Sequence, residues 1–217
     1  MTLTAVNVQK IIKKNVILQD INLILESGNV YGFVGRNGSG KTMLFRALSG
    51  LMNIDSGEIR YGKQVLRRDI PVLPKLGIVL ENAGLYPEFT GFRNLQLLAK
   101  LNGTASDADI TRAIERVGLD PRDKRPFRKY SLGMKQRIVI AQAIMEQPEV
   151  LMLDEPTNAL DEGGVEEIRT IIAEERARGA LVLLASHSKE DIALLADTVY
   201  HMEQGRLWAE GGDEHAG

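Results

Sequence analysis

Gly35-Arg36-Asn37-Gly38-Ser39-Gly40-Lys41-Thr42 is the segment that most restricts what this chain can become. It follows the apolar run Val30 to Val34 and precedes residues at helical spacing, which predicts a loop between a buried strand and a helix starting near Lys41. Glycines at those positions let successive backbone N–H groups turn inward on a polyphosphate, and the helix N-terminus adds its positive end. Lys41 is then placed to neutralise terminal phosphate oxygens. The Thr42 hydroxyl is a candidate ligand for Mg²⁺.

The rest of the chain suits such a loop. Gly77 to Leu80, Val150 to Leu153, Leu181 to Ala185 and Thr198 to Met202 also read as buried strands alternating with helical patterns, so the class is α/β with a mainly parallel sheet covered by helices. The first 30 residues and Gly57 to Leu66 mix polar and apolar residues around turn signals, and predict an antiparallel β layer beside that sheet. From about Gly84 to Met145 no strand pattern occurs, whereas Phe92 to Leu101 and Ala108 to Val117 carry apolar residues at helical spacing. The expectation is one domain, with a core formed by residues 1–83 and 146–217 and a helical subdomain at 84–145. Gly205, between two short apolar runs, marks a late hairpin, and the polar stretch Gly211 to Gly217 a frayed tail.

A second part of the phosphate site follows from Val150-Leu-Met-Leu-Asp154-Glu155, an apolar strand ending in two carboxylates. A strand of this kind delivers its acids to the C-terminal edge of the sheet, where loops converge on ligands. Asp154 would hold Mg²⁺, directly or through water, and Glu155 would orient or deprotonate an attacking water. His187 follows the strand Leu181 to Ala185 and is a candidate for contact with the γ-phosphate and that water. Composition excludes other classes. With 27 basic and 29 acidic residues there is no general field for a polyanion, so nucleic acid is not an expected partner. No cysteine is present for a disulfide or thiolate metal site, which fits a reducing compartment, and no apolar run approaches the roughly 20 residues of a membrane span.

Tyr130-Ser131-Leu-Gly133-Met-Lys135-Gln-Arg137 stands about two dozen residues before Asp154, with Asn158-Ala-Leu-Asp161 after the acidic pair and His187 beyond. This arrangement resembles the ABC ATPases, a class of P-loop NTPase, along nearly the whole chain. The resemblance implies ATP and Mg²⁺ as cofactors, with Gly35 to Thr42, Ser131, Gly133 and Asp161 as nucleotide-binding positions and Glu155, His187 and Lys41 as catalytic ones. It also implies an ATP-dependent homodimer, or a pseudo-dimer with a related subunit, in which Ser131 and Gly133 of one protomer face the γ-phosphate held by Lys41 of the other. Ser131 equally suits a helix N-cap. A separately encoded membrane permease would dock on the helical insertion through Glu81 to Phe92, so the implied location is cytoplasmic, on the inner face of the membrane. Leu85, Tyr86, Phe89 and Phe92 suit either that groove or the insertion's own core. The basic cluster Arg122, Lys124, Arg125, Arg128 and Lys129 reads as a solvated surface.

Three positions depart from the family pattern. Ile12 stands where most members stack an aromatic ring on adenine, Met134 and Lys135 replace a glycine and a glutamine, and Glu81 takes the place of a glutamine, adding a third candidate metal ligand to Thr42 and Asp154. The combination resembles the exporter branch that contains bacitracin-resistance and lantibiotic self-protection ATPases, which implies export of an antibiotic or antimicrobial peptide. The competing readings are a soluble ABC ATPase acting on nucleic acid or ribosomes, and a nucleotide-dependent regulator without turnover.

Overall fold

The computed structural model describes residues 1–80 and 84–211; Glu81 and Gly212 to Gly217 lie outside the described residues. Along the chain, β1 (Thr2–Ile12), β2 (Asn15–Glu26) and β3 (Val30–Val34) lead into α1 (Lys41–Ser49), followed by β4 (Ser56–Tyr61), β5 (Gln64–Val65) and β6 (Leu76–Val79). The helices α2 (Gly91–Asn102), α3 (Asp107–Arg116) and α4 (Leu132–Ile144) come next. The remainder alternates: β7 (Val150–Asp154), α5 (Glu162–Ala177), β8 (Leu181–Ala185), α6 (Lys189–Leu195), β9 (Thr198–Glu203) and β10 (Arg206–Ala209).

Two sheets result. One is antiparallel with order β2-β1-β4-β5, and the other has order β10-β9-β3-β8-β7-β6, in which every pairing but that of β10 is parallel. The central strands are apolar, save for Asp154 at the end of β7, because both faces are covered. Leu151 and Leu153 of β7, with Val182 and Leu184 of β8, pack on the side of α2 to α5. Val150 and Met152, with Leu181 and Leu183, pack on the side of α1 and the antiparallel sheet. The period of two along each strand thus builds two cores from one sheet. Both expected layers are present, and the Gly205 hairpin joins β9 to β10.

Between residues 84 and 145 the described elements are helical. Two arginines tie them to the rest. Arg116 of α3 pairs with Glu174 and with the buried Glu175 of α5, at 2.8 and 2.9 Å. Arg137 of α4 donates to the Val117 carbonyl at 2.6 Å, pairs with Glu167 of α5 and lies 3.5 Å from Asp161. Its guanidinium occupies space that side chains at Gly118 and Gly164 would need, since a Cβ on Gly164 would stand 2.6 Å from Nη2 and one on Gly118 would collide with Nη1.

Candidate functional site

β3, β8 and β7 are neighbours in the sheet, so the loops after their C-terminal ends open on one place. The loop after β3 is the Gly35–Gly40 segment. Gly40 has φ 116°, a conformation that costs a side-chain-bearing residue strain, and it leads directly into α1. Gly35 meets a different demand, because a Cβ there would overlap the Met202 carbonyl oxygen of β9 and come within 2.7 Å of Ser39 Oγ. The β9–β10 hairpin therefore braces the loop from behind, and Gly205 N–H donates to the Ser39 carbonyl at 2.9 Å.

Lys41 is buried, and its ammonium donates to the Gly35 carbonyl at 2.6 Å and the Arg36 carbonyl at 3.4 Å. Burial lowers its pKa from the usual lysine value, against the opposing pull of Glu155 and Asp154. The Thr42 hydroxyl donates to Asp154 Oδ2, which joins the start of α1 to the end of β7. Glu155 has φ 51°, and its N–H donates to the Ala185 carbonyl of β8 at 2.9 Å. One carboxylate oxygen, Oε2, accepts from the His187 N–H at 3.2 Å. The other, Oε1, is buried without a hydrogen bond: His187 Nε2 lies 3.2 Å away but is engaged at 2.7 Å with Asn37 Oδ1. Burial raises the Glu155 pKa above the usual carboxylate value, opposed by the His187 N–H and by nearby positive charge.

These residues line a cleft of about 600 Å³, together with Asn37 to Gly40, Ile17, Met43, Gln136 and Asn158. Gly35 and Arg36 line the opposite side of the loop, beside His201 and Trp208. Ser131, Gly133 and Asp161 lie outside the cleft. Ser131 caps α4, its Oγ accepting from Met134 N–H at 3.1 Å. Asp161 caps α5 by accepting from Gly164 N–H at 3.0 Å. Gly133 packs against the Ala159 carbonyl, where a Cβ would sit at 3.0 Å.

Several lining residues escaped the sequence reading. Ile17, rather than Ile12, forms the aliphatic wall, while Ile12 is half-buried opposite Asn15 at the tip of the β1–β2 hairpin. Gln136 donates to the Pro156 carbonyl at 3.2 Å and so ties α4 to the loop after β7. In the sequence it stands inside the Tyr130 to Arg137 segment that carries the resemblance, with no role of its own assigned there.

A phosphate-cradling loop beside an acid-tipped strand, in a parallel sheet flanked by an antiparallel one, defines a nucleotide-binding α/β protein. Comparison with known proteins makes this specific. The profile of the ABC transporter family matches residues 18–158. The chain is 47% identical over 201 residues to the uncharacterized ABC transporter ATP-binding protein YybJ of Bacillus subtilis, spanning 93% of this chain and 92% of that one. It is 38% identical to the bacitracin transport ATP-binding protein BcrA of Enterococcus faecalis, over 94% of this chain and 67% of the relative. For the lantibiotic transport ATP-binding protein SrtF of Streptococcus pyogenes the figures are 36%, 94% and 88%. The fold matches the dimeric structure of MJ0796, a bacterial ABC transporter cassette, with a TM-score of 0.85 over 97% of this chain and all of the other, at 21% identity. The chain belongs to the ABC transporter family.

Aliphatic walls also bear on base recognition. Apart from the His187 imidazole, no aromatic ring lines the cleft among the described residues. ATP and GTP are expected to bind within about tenfold of each other, about 1.4 kcal/mol. Ile17→Ala should weaken both by about 1 kcal/mol through lost contact area. Ile12→Tyr should favour ATP by about 0.5–1.5 kcal/mol where the ring reaches the base. Competition binding with labelled nucleotide reads all three.

Proposed function

We propose that this chain is the ATP-binding and ATP-hydrolysing subunit of an ABC transporter, working as an ATP-dependent dimer on a separately encoded permease at the inner face of the membrane, and exporting an antibiotic or antimicrobial peptide. The observation that carries the hydrolytic part is the buried, unpartnered Oε1 of Glu155 in the cleft of Lys41 and Thr42. An acceptor placed there is stabilised by taking a hydrogen bond from water, which is the contact a general base needs.

In this reading Lys41 leaves the Gly35 carbonyl for a phosphate oxygen, and His187 leaves Asn37 for the γ-phosphate. Glu155, through Oε1, orients the attacking water and takes its proton. Mg²⁺ fits the donors present, because the Thr42 hydroxyl and the Asp154 carboxylate are adjacent hard oxygens, and Mg²⁺ is usually held by few protein groups plus phosphates and water. When bound it supplies positive charge against the phosphates. Glu81 remains a candidate third ligand on its sequence position. Because Ser131, Gly133 and Asp161 stand outside their own chain's cleft, this reading assigns them to the nucleotide held by the other protomer.

Support for a docking groove comes from the surface of α2. Tyr86, Phe89 and Leu101 are exposed beside Leu85, Leu97 and Leu98 around a cavity of about 500 Å³. Leu85 and Phe92 also pack against the helical core, which is the second use weighed for this segment from the sequence. The buried Asn94 holds the rim, accepting from Tyr86 N–H at 2.7 Å and donating to the Tyr86 and Thr90 carbonyls at 3.0 Å. The peptide-export reading rests on the named substrates of the relatives. Its test is co-reconstitution with the membrane permease that the purified chain captures. Phe89→Asp with Leu101→Asp should reduce peptide transport at least about tenfold while hydrolysis by the isolated subunit falls less than about threefold, as for other exposed substitutions. Equal losses would overturn the docking role.

A further inference from the structure

Asp191, at the start of α6, has a carboxylate that is 2% exposed, and the hydrolytic roles above make no use of it. Its Oδ1 accepts from Arg169 Nε at 2.8 Å and Nη2 at 2.6 Å, and its Oδ2 accepts from the Thr157 hydroxyl at 2.8 Å. Arg169, on α5, also pairs with Glu166 and Glu190. Two charge-assisted bonds from one guanidinium converge on Oδ1 and fix the carboxylate, so the group that its other oxygen holds in turn is Thr157.

The placement of Thr157 gives this bond its use. It stands two residues after Glu155, in a segment closed by Asn158 N–H to the Glu155 carbonyl at 3.3 Å and by Leu160 N–H to the Thr157 carbonyl at 3.2 Å. Asp191 stands four residues after His187, and its own N–H is capped by Ser188 Oγ at 3.1 Å. The segment carrying Glu155 and the segment carrying His187 are therefore joined through the backbone, by Glu155 N–H to the Ala185 carbonyl at 2.9 Å, and also through side chains: by the 3.2 Å bond from His187 N–H to the Glu155 carboxylate, and by the buried Thr157–Asp191 bond. The first side-chain joint uses the reacting carboxylate itself, so it is exposed to whatever that carboxylate binds. The second does not involve either reacting group.

We propose that Asp191 is a positioning residue of the hydrolytic centre, holding Thr157 so that Glu155 and His187 keep their separation while nucleotide binds and the imidazole moves. This rests on the ATPase reading of the cleft. Removing Asp191 itself would take from Arg169 its buried partner, leaving Glu166 and Glu190, and so would change more than the Thr157 bond; the decisive variants are therefore at Thr157, where the ion pair stays intact. Thr157→Val keeps the shape and loses the hydroxyl; Thr157→Ser keeps the hydroxyl.

Steady-state ATPase measurements on the purified chain, with binding of a non-hydrolysable ATP analogue, should show kcat reduced at least tenfold in Thr157→Val, with KM and analogue affinity within threefold of wild type. Thr157→Ser should restore kcat to within threefold. Asp191→Asn combined with Thr157→Val should be no slower than the slower single variant, as expected for two residues acting through one bond. A Thr157→Val enzyme with kcat within threefold of wild type overturns the proposal, as does a loss that Thr157→Ser fails to restore. Glu155→Gln separates the two levels: wild-type turnover there removes the ATPase reading, whereas an inactive Glu155→Gln beside an active Thr157→Val removes only the role of Asp191.

Discussion

Replacing Glu155 by Gln is expected to lower ATP turnover by about 100- to 10,000-fold, the range that a positioned general base contributes. Glutamine keeps the volume and still offers a carbonyl oxygen to His187 N–H, so the contact to Oε2 survives, but it cannot take a proton from water. Lys41, Thr42 and Asp154 are untouched, and nucleotide binding should stay within about threefold, under about 1 kcal/mol. ATP bound without turnover should also accumulate the dimer, which sizing chromatography with and without ATP reads directly. The substitution places a neutral amide where burial already disfavours the charged carboxylate, so the melting temperature should hold or rise. Turnover at the wild-type rate would remove Glu155 from the mechanism.

A substitution that adds a single methyl group should damage both stability and binding. Gly35→Ala places its Cβ on the Met202 carbonyl oxygen, which belongs to the backbone of β9 and has no rotamer with which to escape. Either the loop or the hairpin must shift. Overpacking of this kind costs about 1–3 kcal/mol, equivalent to a melting temperature lower by roughly 2–12 °C in a chain of this size. Because the same shift moves the Gly35 carbonyl that holds Lys41, ATP affinity should fall at least about tenfold, about 1.4 kcal/mol. Melting curves with and without nucleotide separate the two effects. A Gly35→Ala protein with wild-type stability and affinity would show that the hairpin is not a fixed wall.

The sequence was most informative where local chemistry and tertiary role coincide. β8, and β7 up to its terminal Asp154, are apolar because both of their faces are covered, so their burial could be read without a partner. The loop from Gly35 to Thr42 likewise carries its reason in its own glycines. Ile12 and Ile17 were not separable in this way. The β1–β2 ladder changes register between Ala5 and Val8, again before Lys10 and again before Ile11, and Lys13 and Lys14 both have positive φ. Each irregularity alters which side chains share a face, and period-two reading cannot see it. The contact of Asn37 with His187 joins residues 150 positions apart, and that of Asp191 with Thr157 depends on how two loops dock. No propensity encodes either. Ser131 and Asp161 were legible as motif residues, but their own chain uses both as helix caps, so a sequence pattern alone does not say which nucleotide they address.

The seating of Arg137 between Gly118 and Gly164 binds three distant sequence positions to one fate. A larger residue at 118 or 164 takes the room of the guanidinium, and a shorter residue at 137 leaves that room empty beside Glu167. Among natural variants of this chain the three sites should therefore drift together, and a residue larger than glycine at 118 should call for a change at 167 as well, since its Cβ would also lie 2.6 Å from the Glu167 carboxylate and its backbone would keep a φ of 71°.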